Sequence, residues 1–230
     1  MKTSTLLLTA MSTCLLISSC QKSDLSEDKD FLRNSSNAEK ARNGVNKKNL
    51  AIGDLYGGGI VFFIDESGKH GLIAAPHDLG LAPWGCSGTE VPGTSQFDGT
   101  GLANTILILA VCGEAGTAAR LSNELVIREK GDNGKKYDDW FLPSAGDFGK
   151  LTGAINSSSD PKLKSLLIPE DYWSSTQQDW DFKAIPQDRS KTAVSLTVFS
   201  YETATDIDFA SILFPSDKSR RLRVLPIRAF

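Results

Sequence analysis

Asp138-Asp139-Trp140-Phe141-Leu142-Pro143-Ser144 is the stretch on which the fold turns, because it joins an aromatic, apolar run to a helix start. Ser144 follows Pro143 and stands three residues before Asp147, the arrangement of a helix N-cap with an acid in the first turn. Farther on come Tyr172-Trp173-Ser174-Ser175-Thr176 and the closing run Arg223-Val224-Leu225-Pro226-Ile227-Arg228-Ala229-Phe230. Trp140 and Trp173, each set inside such a block, read as core residues.

Upstream, Ile60-Val61-Phe62-Phe63-Ile64 is a β-branched and aromatic run, and Asp65-Glu66-Ser67-Gly68-Lys69 supplies turn chemistry before Gly71-Leu72-Ile73-Ala74-Ala75, so the segment reads as a hairpin. Gly57-Gly58-Gly59 precedes a strand and no Gly-Lys-Ser or Gly-Lys-Thr follows, which points to a tight turn rather than a phosphate loop. Leu102 to Val111 is almost continuously apolar and reads as a buried helix. Thr117 to Arg128 carries a helical apolar stripe and reads as a second. Downstream, Ala193 to Phe199 alternates with period two, and Leu222 to Arg228 does so less cleanly. Pro226 cannot donate to a ladder, so that last strand is expected to run at an edge or to expose that position. Strands at both ends around central helices predict an α+β domain whose terminal strands pair, with two to three helices and long loops.

The remainder of the chain sets its address. Residues 1–19 hold Lys2 and then an apolar run around Leu6, Leu7, Leu8, Leu15, Leu16 and Ile17, the layout of a secretory signal and too short for a transmembrane span. Ile17-Ser18-Ser19-Cys20 resembles a bacterial lipobox, so cleavage before Cys20 and acylation of its thiol are expected, with two or more acyl chains holding the protein on a bilayer. Residues 20–50 then read as a lipidated cysteine plus a disordered tether, dominated by Lys, Asp, Glu, Ser and Asn, with a reach of roughly 30 Å by coil scaling. Within it Asp24, Glu27, Asp28 and Asp30 resemble the surface-export signals of some Gram-negative lipoproteins, which places the protein at the outer membrane. Residues 51–230 suffice for one domain. The formal charge of -3 becomes -4 once Lys2 leaves, and no dense block of Lys and Arg is read in the domain, so nucleic acid is not an expected partner.

Taken in order, Gly58 to Ile64, Gly99 to Thr105, Ala118-Ala119-Arg120-Leu121, the Trp140 to Ser144 block, the Tyr172 to Thr176 block and the terminal Ile227-Arg228-Ala229-Phe230 resemble the Lcl C-terminal domain family, over most of residues 51–230. That resemblance implies a C-type-lectin-like fold and, in the namesake, attachment to sulfated polysaccharides. Two features depart from it. The chain has no collagen-like Gly-X-Y stalk, and no cluster of Lys and Arg is read for sulfate groups. The calcium and sugar signatures of animal C-type lectins are also absent, Pro186-Gln187-Asp188 only scrambling one of them.

The candidate site residues follow from these readings. With Cys14 in the signal and Cys20 assigned to lipid, Cys86 and Cys112 are left as a disulfide candidate or as two buried thiols. Trp84 and Trp180, in glycine-rich or polar surroundings, are the expected exposed ligand contacts. Asp and Asn oxygens in Gly131 to Asp139 suit a hard cation such as calcium, but Lys135, Lys136 and the missing distal glutamate argue against one, and no metal is assigned. Formylglycine-generating oxidases share a related fold and use late cysteines, whereas no cysteine follows Cys112 here. His70 and His77 belong to no nucleophile motif, so no enzyme and no cofactor are expected. The resulting expectation is an adhesin or capture module for a glycan or surface protein, with a structural subunit of an envelope appendage as the alternative.

Overall fold

The computed structural model describes residues 50–128, 134–177, 188–202 and 207–230. The leader, Cys20, the tether as far as residue 49, Trp180 and the Gly131 to Asn133 turn lie outside them. The first elements are the short β1 (Leu55–Tyr56), then β2 (Gly59–Ile64) and β3 (Gly71–Ala74), which form the expected hairpin. Gly57 and Gly58 take φ of 58° and 85°, and a Cβ on Gly59 would run into the Ala74 carbonyl. The glycine triplet therefore serves the entry into β2, as its context predicts.

After β4 (Leu81–Pro83) come two helices, α1 (Gly101–Val111) and α2 (Ala118–Glu124). The second ends sooner than its apolar stripe suggests. Leu125 is already extended, and β5 (Ile127–Arg128) pairs with β6 (Lys136–Tyr137), so a strand pair overrides the helical pattern. Next are α3 (Ala145–Asn156) and the one-turn α4 (Pro161–Lys164), which bring the described helices to four rather than the two or three expected. The strands β7 (Asp171–Gln177), β8 (Thr192–Glu202), β9 (Ile207–Asp217), β10 (Arg221–Arg223) and β11 (Ile227–Ala229) complete the domain.

Two sheets organise these elements into an α+β fold. The order β1-β2-β3-β11 makes an antiparallel sheet in which the last strand pairs with β3, so the two ends of the domain share a sheet as predicted, although its first and last strands lie at opposite edges and do not pair with each other. The second sheet has the order β4-β10-β7-β8-β9, with β10 parallel to β7 and the other pairs antiparallel. The expected single strand from Leu222 to Arg228 is split. Pro226 lies between β10 and β11, which belong to different sheets, and its carbonyl accepts a hydrogen bond from Ala75. Proline stands at the change of sheet, and β11 after it lies at an edge of the four-stranded sheet, as expected.

One core, including Phe62, Ile73, Phe148, Leu151, Tyr172 and Leu196, lies among the first sheet, α3 and the inner face of β7 to β9. A second gathers Trp84, Ile108, Leu142, Trp173, Leu222 and Val224. Each such fully buried large side chain contributes about 1.5–3 kcal/mol by leaving water. Trp140 and Trp173 are both buried, in agreement with their motif setting.

Between the cores the motif blocks meet in a buried polar spine. Ser144 caps α3 in a capping box: its Oγ accepts from Asp147 N, and Asp147 Oδ2 accepts from Ser144 N at 2.9 Å. The other oxygen, Oδ1, accepts from Gly99 N at 2.7 Å. Thr176 Oγ1 and Asn104 Nδ2 both donate to the Ser95 carbonyl, and Asn104 Nδ2 also reaches Ser175 Oγ. Thr105 Oγ1 donates to the Leu142 carbonyl and accepts from Leu142 N. The hydroxyls of the Tyr172 to Thr176 block are thus structural.

This spine inverts α1. Expected to be apolar and buried all round, the helix turns Asn104, Thr105 and Ile108 inward and leaves Leu102, Ile106 and Val111 exposed. Polar residues face inward because the spine supplies partners for them.

Candidate functional site

Of the two tryptophans expected at the surface, Trp84 is 0% exposed. Its indole N–H donates to the Ser174 carbonyl at 2.8 Å, and the Lys218 ammonium stands 4.6 Å from its ring centroid. It is a core residue, and the expectation of a ligand platform there is corrected. Trp180 lies outside the described residues. Cys86 and Cys112 are joined in a disulfide with Cα atoms 5.4 Å apart, ordering the loop that leads to residues 90–94. Among the described residues no group of three His, Cys, Asp or Glu side chains could hold a metal ion.

Three concave regions stand out among the described residues. The first, about 330 Å³, lies beside β1 and β11 and is lined by Tyr56, Lys136, Asp138, Asp139 and Arg228 among others. Its charges are internally matched. Arg228 grips Asp139 with two bonds of 2.6 and 2.8 Å, which holds the Asp139 carboxyl below its usual range, and Lys136 pairs with Asp138 at 2.6 Å. A second, smaller cleft borders Glu90 to Thr94, Gln177 and Arg189.

The third is an open groove of about 440 Å³ over the outer face of the second sheet, bounded by Leu81, Glu170, Asp171, Thr197, Phe199 and Arg221 among others. Asp171 is fixed there by Thr197 Oγ1 at 2.6 Å and by Arg220 Nη2 at 2.9 Å. Arg223 spans Asp78 and Glu170, with nearest contacts of 3.1 Å to each. Arg221 differs from its neighbours. Its Nη2 donates to the Leu81 carbonyl at 2.6 Å, and among the described residues no carboxylate stands within ion-pair distance. A guanidinium held in place by a backbone oxygen keeps further donors for an acceptor outside the protein.

The groove continues into an apolar surface. Antiparallel register pairs Ser195 with Phe214, Thr197 with Ile212 and Phe199 with Ala210, so Phe199, Ile212 and Phe214 share one face, with Tyr201 two residues beyond Phe199. All four are close to half exposed. The adjacent sheet edge, by contrast, is blunted. The Asn156 amide bonds both the N–H and the carbonyl of Phe209, and Pro215 has no N–H to offer. The face of β8 and β9 is therefore more open to a partner than their edge.

The lysine-and-arginine reading also needs correction. Lys218, Arg220, Arg221 and Arg223 fall within six residues, and three of these four cations edge the groove or brace its acids. The fourth, Lys218, is 0% exposed. Its ammonium donates to the Thr89 carbonyl at 2.7 Å and to Gln177 Oε1 at 3.0 Å. Burial lowers its pKa to about 8, against the opposing pull of Glu90 and Asp188. Tyr172 is shifted the other way, its pKa raised by burial to about 12.

These two shifts define a pH dependence of stability. A lysine with a depressed folded-state pKa binds its proton more weakly than the unfolded chain does, so its contribution is lost as pH falls through about 8 and is full above the ordinary value of 10.5. Tyr172 has a raised value, so its contribution is full below 10.0 and is lost as pH rises through about 12. The urea midpoint is expected to rise between pH 8 and 10 and to fall above that range. Lys218→Met should flatten the rise; an unchanged slope in the variant would assign the rise to other groups.

The α+β fold with an open-faced second sheet and a groove edged by arginines is the class of domain these residues define. No family model matches the chain, and no curated protein matches it. The short basic run at 218–223 was available to sequence reading as the signal for the groove, whereas its apolar half was not, because Leu81, Phe199 and Ile212 come from three separated strands.

Proposed function

We propose that the chain is a lipid-anchored outer-membrane protein, held through Cys20, whose lectin-like domain captures a glycan chain or surface polypeptide in the groove over β4, β10, β7 and β8. The carrying observation is the groove's mixed chemistry: Arg221 fixed with no carboxylate partner among the described residues, hydroxyl and carboxylate groups at Thr197 and Asp171, and apolar Leu81 and Phe199 beside them. Planar polar side chains next to an aromatic ring suit a polymer that presents hydroxyl or acidic groups on an otherwise apolar ring face. The activity is binding, not catalysis.

A second reading, a structural subunit of an envelope assembly, is favoured by the half-exposed Phe199, Tyr201, Ile212 and Phe214 on one sheet face. The two separate in one experiment. The purified chain is tested against sulfated and neutral glycans, with and without calcium, at low and high salt, while its mass in solution is followed with concentration. Saturable binding by a monomer supports capture, and its loss at high salt would mark Arg221 as the contact. Concentration-dependent assembly with no glycan bound would replace capture with the structural role.

A further inference from the structure

Turning Asn104, Thr105 and Ile108 toward the interior leaves α1 with an outer face made of hydrocarbon alone. Leu102, Ile106 and Ala110 recur there at four-residue spacing with Ala103 beside them, and all four are exposed, Ile106 at 57%. Leu107 and Leu109 flank the stripe, half-buried. Phe97, 69% exposed, stands just before the helix, where its carbonyl accepts from Thr100 Oγ1 at 2.6 Å. From Gly101 to Val111 the helix carries no charged residue, and its only polar side chains, Asn104 and Thr105, are spent on Ser95, Ser175 and Leu142. Charges near its ends are matched. Asp98 pairs with Lys150 at 2.7 Å, Glu114 accepts from Cys86 N, and Arg120 reaches Glu124 and the Cys112 carbonyl.

Such a face suits a lipid surface better than a protein. Specific protein interfaces carry about one hydrogen bond per 100–200 Å² to fix their register, and this stripe has no side-chain donor or acceptor to give. A bilayer demands no register and rewards the apolar area that enters it. The place of the face in the chain points the same way. Where the domain begins, the Gly53 carbonyl accepts from Lys162 Nζ at 2.8 Å, beside Asp160 and just past the C-terminal end of α3. The other end of α3 holds the approach to α1, with Ser144 Oγ donating to the Phe97 carbonyl and Asp147 accepting from Gly99 N. The 12 residues of α3 span about 18 Å, less than the roughly 30 Å reach of the tether that enters at residue 50.

We propose that the outer face of α1 is a lipid-contact surface that seats the domain on the bilayer to which its tether is anchored. The proposal rests on the reading of Cys20 as the lipid anchor, which holds the face at high local concentration beside the membrane, so a weak apolar contact suffices. Leu102 and Ile106 enter the boundary between headgroups and acyl chains, with Phe97 at the start of the helix. Because the helix is uncharged and the ions near its ends are paired, the contact needs no anionic lipid and is insensitive to salt.

The test uses residues 20–230 with Cys20→Ser, which keeps both cores whole and removes every acyl group. This chain is floated with phosphatidylcholine vesicles, and with vesicles that also contain phosphatidylglycerol, up to millimolar lipid and at low and high salt. Saturable partition onto both vesicles at both salt concentrations is expected. Leu102→Gln and Ile106→Gln should each weaken it about threefold or more, and the pair about tenfold, with unfolding midpoints unchanged because both side chains are exposed. Phe199→Ser, on β8, should leave partition intact. The proposal is overturned by no partition onto phosphatidylcholine, by partition that needs phosphatidylglycerol and vanishes in salt, or by a loss that follows Phe199→Ser instead of Ile106→Gln. Self-association abolished by Ile106→Gln, without lipid binding, would assign the face to a second copy and overturn it too. The anchor is checked separately, by the mass of the Cys20 peptide from the full chain extracted from membranes. Acylated Cys20 with no effect of α1 variants sinks the contact alone, whereas α1-dependent partition with Cys20 unacylated sinks the anchor alone.

Discussion

Asp147→Ala is expected to lower the stability of the domain by about 2 to 4 kcal/mol, enough to move its thermal midpoint by roughly 10 °C. The carboxylate is fully buried and accepts from Gly99 N and Ser144 N, so its removal leaves the buried Ser144 N–H unpaired, at a cost of about 1–3 kcal/mol, and takes the partner of the Gly99 N–H nearer the surface. It also dismantles the capping box at α3, worth about 1 kcal/mol, and takes a negative charge from that helix's N-terminus. Asp147→Asn separates these effects. Its single carbonyl oxygen can serve only one of the two N–H groups while its amide nitrogen faces the other, so it should recover about half the loss. A midpoint within 2 °C of the parent for the alanine variant, by calorimetry or far-ultraviolet dichroism, would show that the polar spine does not tie the motif blocks together; that margin is below the roughly 2–4 °C expected per kcal/mol.

Cys86→Ser with Cys112→Ser is expected to cost about 3.5 kcal/mol by the chain-entropy estimate for this loop. Both cysteines sit in the second core with Trp84 and Val91, so the change should also loosen residues 89–94. Groove binding, carried by β4, β10, β7 and β8, should survive at temperatures where the variant stays folded. Peptide mapping without reductant gives an independent check. The peptides containing Cys86 and Cys112 should run as one linked species, and recovery of both as singly alkylated peptides would contradict the bridge.

Several elements are legible in the local sequence pattern. The β2–β3 hairpin, the Ser144 cap, the buried Trp140 and Trp173 and the meeting of the domain's ends all follow from spacing and residue type. What could not be read depends on distant partners. The apolar run in α1 has no marked face of its own, so nothing local reveals that Asn104 and Thr105 turn inward to Ser95, Ser175 and Leu142. Glycines flanking Trp84 suggest exposure, yet the indole is claimed by a carbonyl ninety positions along the chain. The stripe from Thr117 to Arg128 is genuinely helical in pattern, but the β5–β6 pairing takes its second half. Lys218, similarly, is a surface residue by type, and only Thr89, Gln177 and Trp84 make its burial tolerable.

The groove is the central claim, and equilibrium binding by the parent chain, Arg221→Ala and Phe199→Ser to the glycan panel tests it most directly. Both residues are on the surface, so unfolding midpoints should stay unchanged. The account predicts saturable binding by the parent and a loss of about tenfold or more in each variant, with the salt dependence gone from Arg221→Ala. Binding that is indifferent to both substitutions, or no glycan binding by the parent at either salt concentration, would contradict it.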